Sequence, residues 1–165
     1  MTTRWHDILT GLSPDASGEV FFQPASILAT TNPSGSPLAI FLDSATRDGL
    51  FGRFAVPKEY VDTAVLDILW YTAATSGDVD WDFEYRANGV GESMNQSGSQ
   101  ESVTVNDLAG TTFILMQASI SLTDGNFAAE DIVEFTLFRD GVTESSGGIA
   151  ASVALAGLFF RYNDA

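Results

Sequence analysis

From Asp78 to Arg86 the chain reads DVDWDFEYR, nine residues in which charged and apolar side chains alternate without a break. A period of two marks a β-strand with one buried face, because successive side chains leave a strand on opposite sides. Val79, Trp81, Phe83 and Tyr85 share one face, and Asp78, Asp80, Asp82 and Glu84 share the other. The apolar face is a core face.

The rest of the chain is cut into short runs of the same kind. Turn signals fall at Asn32-Pro33, Gly35-Ser36-Pro37, Asp48-Gly49, Ser76-Gly77, Asn88-Gly89, Asp124-Gly125, Asp140-Gly141 and Gly147-Gly148. Gly and Asn tolerate positive φ and Pro pre-sets a turn, so each is a chain reversal with a mechanism. Between them lie strand candidates at Glu19–Gln23, Leu38–Asp43, Leu50–Val56, Ala64–Ala73, Asp78–Arg86, Phe113–Leu122, Ile132–Arg139 and Ser152–Tyr162. Eight such runs predict an all-β sandwich or barrel. Helical periodicity is weak, with short candidates only at Thr3–Leu9 and Lys58–Asp62. The polar run Gly91–Ser102 reads as an exposed loop, and no repeat of 20–50 residues is visible.

The first 18 residues differ from the rest and read as an N-terminal arm, with the domain proper at 19–165. Trp5, Ile8 and Leu9 are the apolar residues least explained by the domain. They are the candidate contact residues, docking on a partner, meeting a neighbouring subunit or packing back on the domain.

A chain of 165 residues fits one domain and needs neither metal nor disulfide to bury a core. With no cysteine and one histidine, His6, it has no thiol nucleophile, no Cys-ligated metal and no site needing two imidazoles. His6 is expected at the surface. The net charge of −15 argues against nucleic acid and anionic membranes as partners. No apolar stretch reaches the ~20 residues of a membrane helix, so the chain is expected to be soluble. Nucleotide-binding glycine motifs and a G-x-S-x-G elbow are absent.

Three readings of the acidic face stay open, in this order. The first is a solvated outer surface. The second is a calcium site, since Asp78-x-Asp80-x-Asp82 opens like an EF-hand loop. Phe83 and Gly89 then occupy the places of that loop's glycine and glutamate. The third is a glycosidase carboxylate pair. Among the aromatics, Trp81 and Tyr85 belong to the core. Trp70 and Tyr71 point to opposite faces, which leaves one of them open to stack on a sugar.

The order of features from Phe54 to Tyr162 resembles the single-domain jelly-roll proteins of tailed bacteriophages. These include capsid decoration (cement) proteins and related tail and fibre modules. The matched features are Phe54–Pro57, Tyr60, the strand through Trp70, the turn Ala74–Val79, Trp81, the strand led by Asp131, Arg139-Asp140 and the final LFFRY. Gly141–Gly148 and the N-terminal third depart from the pattern. The resemblance implies an antiparallel jelly-roll β-sandwich of about eight strands. It implies a homotrimer bound to the major capsid protein at the capsid surface of a virion, with no catalytic residue and Trp5, Ile8 and Leu9 as the candidate capsid contacts; no metal or cofactor is expected. A tail or fibre module that binds a glycan receptor is the alternative.

Overall fold

The computed structural model describes residues 1–8, 47–140 and 148–164, and the backbone of short strands at 13–14, 20–21 and 39–41. Its strands are β1 (Thr3–Asp7), β2 (Ser13–Pro14), β3 (Val20–Phe21), β4 (Ala39–Phe41), β5 (Arg47–Ala55) and β6 (Tyr60–Thr72). They continue as β7 (Asp78–Asn88), β8 (Glu101–Leu108), β9 (Met116–Ser121), β10 (Ile132–Asp140) and β11 (Val153–Asp164). One sheet runs β3-β4-β11-β6-β9, with β1 also on β11; the other runs β2-β5-β10-β7-β8. All these pairings are antiparallel. Eight of the strands have five residues or more, and the whole is a jelly-roll β-sandwich.

The alternation of β7 does what its period requires. Val79, Trp81, Phe83 and Tyr85 are buried between the sheets. There they meet Trp70 and Leu66 of β6 and Phe160 of β11 in one core. The Trp70 and Trp81 rings touch edge-on at 6.3 Å. Trp70 is buried, its indole donating to Asp107 Oδ2 at 2.8 Å, while Tyr71 on the opposite face is half-buried. An aromatic cluster fills the other end of the core. Phe160 lies 5.2 Å from Phe54 and 5.3 Å from Phe127, whose ring stacks on Tyr85 at 4.9 Å.

Several expectations change. The acidic face of β7 is not a solvated surface: Asp78, Asp80 and Asp82 are buried. They point away from the core, yet neighbouring polar side chains cover them. Asn106 donates to Asp78 and Asp80, Thr104 donates to Asp82, and Arg47 pairs with Asp82 at 3.1 Å and Glu84 at 2.6 Å. A buried carboxylate needs such partners to stay charged. Among the described residues no group of three or more His, Asp or Glu is placed to hold a metal ion.

The chain start is neither a helix nor a separate arm over its first residues. Thr3–Asp7 is a strand on β11, and Ile8 is fully buried in the core. Ile8 is therefore a packing residue, not a contact for a partner. Leu9 and residues 10–12 and 15–18 lie outside the described residues. His6 is half-buried, its ring 6.3 Å from Phe54.

Lys58–Asp62 is also not helical: the chain turns at Pro57 and enters β6 at Tyr60. Asp48-Gly49 is not a turn either. It lies inside β5, where Gly49 faces Phe138 and a Cβ would come within 2.5 Å of that ring. The glycine is needed for close approach, not for reversal. No described helix is long and apolar enough to cross a membrane.

Candidate functional site

The register of the five-stranded sheet sets side chains in rows across its outer face. Directly paired residues point the same way. One row is Arg53–Glu134–Arg86, from β5, β10 and β7. The next is Phe51–Thr136–Glu84–Ser102, and the third is Gly49–Phe138–Asp82–Thr104. The third row is filled: Arg47 lies over the Phe138 ring, 3.6 Å from its centre, while it pairs with Asp82 and Glu84. Such a cation over a desolvated ring is attracted to it.

The first two rows are open. They floor a cleft of about 590 Å³ that includes Phe51, Arg53, Glu84, Arg86 and Glu134. One wall is the β7–β8 loop, which contributes Met94, Gln96, Gly98 and Ser99. Arg86 holds that wall upright. Its Nε donates to the Gly98 carbonyl at 3.1 Å and its Nη1 to Gln96 Oε1 at 2.6 Å. Gln96 in turn donates to Asn88 Oδ1 at 3.3 Å.

The loop's return is pinned by Glu101, which accepts from the Tyr85 hydroxyl and from Thr123 Oγ1. Burial pushes the Glu101 carboxyl up, but hydrogen bonds from Tyr85 and Thr123 outweigh it and hold it below its ordinary value.

Phe51 stands 48% exposed on this floor, and Met94 is exposed on the wall. The Arg53 and Glu134 side chains are exposed and make no hydrogen bond or ion pair among the described residues. Glu84 is committed to Arg47. The cleft thus offers an aromatic surface, a cationic donor, a carboxylate acceptor and amide groups. Apolar and polar groups that converge in one cleft can hold a small molecule.

A second hollow, of about 160 Å³, lies on the opposite sheet and is lined by Trp5, Asp67, Leu69, Gln117 and Phe159. Trp5 is 61% exposed, and its indole donates to Asp67 Oδ2 at 3.3 Å. Asp67 also accepts from Arg161 at 2.7 and 3.1 Å and from Ser119 at 2.7 Å. Burial pushes the Asp67 carboxyl up, but the bonds from Arg161 and Ser119 and the charge of Arg161 win, and it lies below its ordinary value of 3.8.

A carboxyl lowered on folding adds stability that is full above its unfolded pKa and is lost as pH falls through the folded one. Asp67→Asn should therefore melt below the parent at neutral pH, by an amount worth about 3 kcal/mol. The two melting curves should draw together as pH falls below the ordinary carboxyl value of 3.8. A gap that does not narrow there would show that the charge is not what Asp67 contributes.

The sequence reading named Trp5 but not Phe51, Arg53, Met94 or Glu134. The signal for Phe51 was present. Leu50, Phe54 and Val56 alternate inward, which leaves Phe51 and Arg53 outward, and a large aromatic at an outward position needs a reason. The structure does not bring the named residues together: Trp5 is at the surface, Ile8 is inside, and Leu9 lies outside the described residues.

A jelly-roll domain with an aromatic-bearing cleft on one sheet is the class that fold and site define. No protein-family model matches the sequence, and no curated protein matches it. Solved structures do match it in fold. The CBM22-1 xylan-binding domain of Paenibacillus barcinonensis Xyn10C superposes with a TM-score of 0.53 at 11% identity, over 98% of this chain and 94% of that one. The xylan-binding module CBM15 gives 0.51 at 14%, over 99% and 97%. CBM35 from Paenibacillus barcinonensis gives 0.51 at 12%, over 95% and 97%.

The arabinose-bound α-L-arabinofuranosidase MgGH51 also matches, with a TM-score of 0.51 at 14% identity over 93% of this chain; there the chain spans only 23% of the enzyme's length. At these identities the likeness is one of fold. The jelly roll implied by the phage resemblance stands, but these neighbours are carbohydrate-binding modules and carbohydrate-active enzymes, and none is a capsid decoration protein.

Proposed function

We propose that this chain is a non-catalytic carbohydrate-binding module that holds an uncharged glycan in the cleft of the five-stranded sheet. The observation that carries this reading is Phe51, half exposed on the cleft floor with Arg53 and Glu134, whose side chains have no partner among the described residues. A sugar ring has an apolar C–H face and a rim of hydroxyl groups that both donate and accept. An aromatic ring can take the face. A guanidinium, a carboxylate and an amide can take the rim. The fold shared with two xylan-binding domains supports the same class of ligand.

The charge argues for an uncharged glycan, because a protein of net charge −15 repels an acidic one. The test is retardation in native gels containing soluble arabinoxylan, mixed-linkage glucan or galactan. Retardation by at least one is expected, and its strength should change less than about twofold between roughly 0.05 and 0.5 M salt. No retardation by any of them would sink the reading, and a steep salt dependence would sink its uncharged ligand.

One observation favours a second reading, the homotrimeric capsid-surface protein docked on a major capsid protein of a virion. Phe113, Ile114 and Leu115 are consecutive and each about half exposed, at the end of the sandwich where Phe113 N–H bonds the Thr72 carbonyl. Adjacent exposed apolar side chains suit a protein contact. A solution mass of three times 17.6 kDa with co-sedimentation on capsids would favour this reading. A monomer retarded by polysaccharide would favour the module.

A further inference from the structure

We infer that the hollow under Trp5, on the sheet opposite the cleft, is a second carbohydrate subsite that stacks one uncharged sugar ring on the indole. The choice of a carbohydrate rests on the reading above; the site itself rests on its own geometry. Trp5 sits on β1 and bonds Asp67 on β6, with β11 between them. Strands in a sheet are about 4.8 Å apart, so the Trp5 side chain, its hydrogen bond and the Asp67 side chain together bridge roughly 10 Å across β11. Held this way, the indole is still 61% exposed while its N–H is satisfied. A tryptophan used only for packing would be buried.

The hollow beside the indole is also shaped by the fold. Gly157 pairs with Leu69, and a Cβ there would come within 2.8 Å of Phe159 and 3.1 Å of Leu69. The missing side chain lets Phe159 and Leu69 close over β11 and form an apolar floor. Gln117, opposite Leu69 on β9, adds an exposed amide at the rim. The volume of about 160 Å³ equals that of about five water molecules at ~30 Å³ each, the size of a single sugar unit and not of a protein segment.

Charge decides the kind of ligand. The Asp67 carboxylate is neutralised by Arg161, so the hollow offers hydrogen bonds and apolar surface without net charge. It matches an uncharged polyol better than an ion. Because its orientation is already fixed by Asp67, the indole loses little freedom on binding. With the cleft on one sheet and this hollow on the other, one chain can grip two glycan strands, and linked sites add avidity.

The three tryptophans make the test direct. Trp70 and Trp81 are fully buried, so acrylamide quenching of intrinsic fluorescence reads Trp5. Soluble arabinoxylan, mixed-linkage glucan and galactan are titrated into the parent, Trp5→Ala and Phe51→Ala. A polysaccharide that binds should lower the quenching constant at least twofold in the parent and in Phe51→Ala. The parent should also cross-link and precipitate that polysaccharide, whereas Trp5→Ala should be retained by it without precipitating it.

Protection surviving in Phe51→Ala separates the two sites. If the cleft reading alone fails, Phe51→Ala binds as the parent does and the protection remains. The inference is overturned if the bound polysaccharide leaves quenching unchanged, or if none of the three binds. It is overturned too if Trp5 becomes protected on raising protein concentration without sugar, because a second copy would then be its occupant.

Discussion

Replacing Phe51 with alanine should weaken polysaccharide binding about 30-fold while leaving the fold intact. The size follows from its place. Aromatic anchors at the centre of a site carry about 2 kcal/mol or more, and neighbouring polar contacts carry less. Phe51 shares a cross-strand row with Thr136 and Glu84 in the open part of the sheet, where it is the one exposed ring among the described lining residues. Its exposure of 48% means that the core does not depend on it, so the melting temperature should move little. Arg53→Ala should cost less, because it removes a rim hydrogen bond and leaves the stacking surface in place. Titration calorimetry of the parent and both variants with soluble arabinoxylan or whichever polysaccharide binds gives the ranking. Equal affinities for Phe51→Ala and the parent would move the site away from this cleft.

The largest effect on stability is expected at Phe160. It is fully buried on β11 and touches rings from both sheets and from the connection before β10: Phe54 at 5.2 Å, Phe127 at 5.3 Å and Tyr60 and Tyr162 at 5.9 Å. Truncation to alanine removes the ring that these four share and leaves a cavity that stiff strands cannot close. A Phe→Ala change of this kind costs about 3–5 kcal/mol. At roughly 2–4 °C per kcal/mol for a chain of this size, the melting temperature should fall by about 10 °C. Phe160→Leu, which keeps most of the volume, should lose less than half as much. Thermal melts of the three proteins decide it, and a drop under about 3 °C for the alanine variant would show that the cluster repacks around the loss.

Much of this architecture was legible because strands announce themselves by period two. The core face of β7 could be read residue by residue, and β5, β6, β10 and β11 lie where short apolar runs between turn residues placed them. What escaped was information held between strands. The segment Glu101–Leu108 follows a polar loop, and only Val103 and Val105 mark it as β8; its pairing with β7 turns those two inward. The acidic face of β7 looked solvated because the partners that cover it are distant in sequence: Arg47 is 35 residues from Asp82 and Asn106 is 28 from Asp78. The cleft was missed for the same reason. Arg53, Glu134 and Arg86 form one row only after three strands are placed in register. Trp5 was noticed as an apolar residue without an explanation, but its setting depends on Asp67, 62 residues away.

The pairing of β1 with β11 brings Thr2 and Asp164 side by side. Thr2 N–H donates to Asp164 Oδ1 at 2.7 Å, Asp164 N–H donates back to the Thr2 carbonyl at 3.0 Å, and Arg4 pairs with the same carboxylate at 2.7 Å. A domain whose ends meet can be spliced into a surface loop of a larger protein without stretching its host. Flanking domains fused to both ends would leave from a single corner, so the sandwich would hang from them as a pendant. The same geometry would let a short linker join the ends into a circle, so that new ends could be opened elsewhere on the molecule.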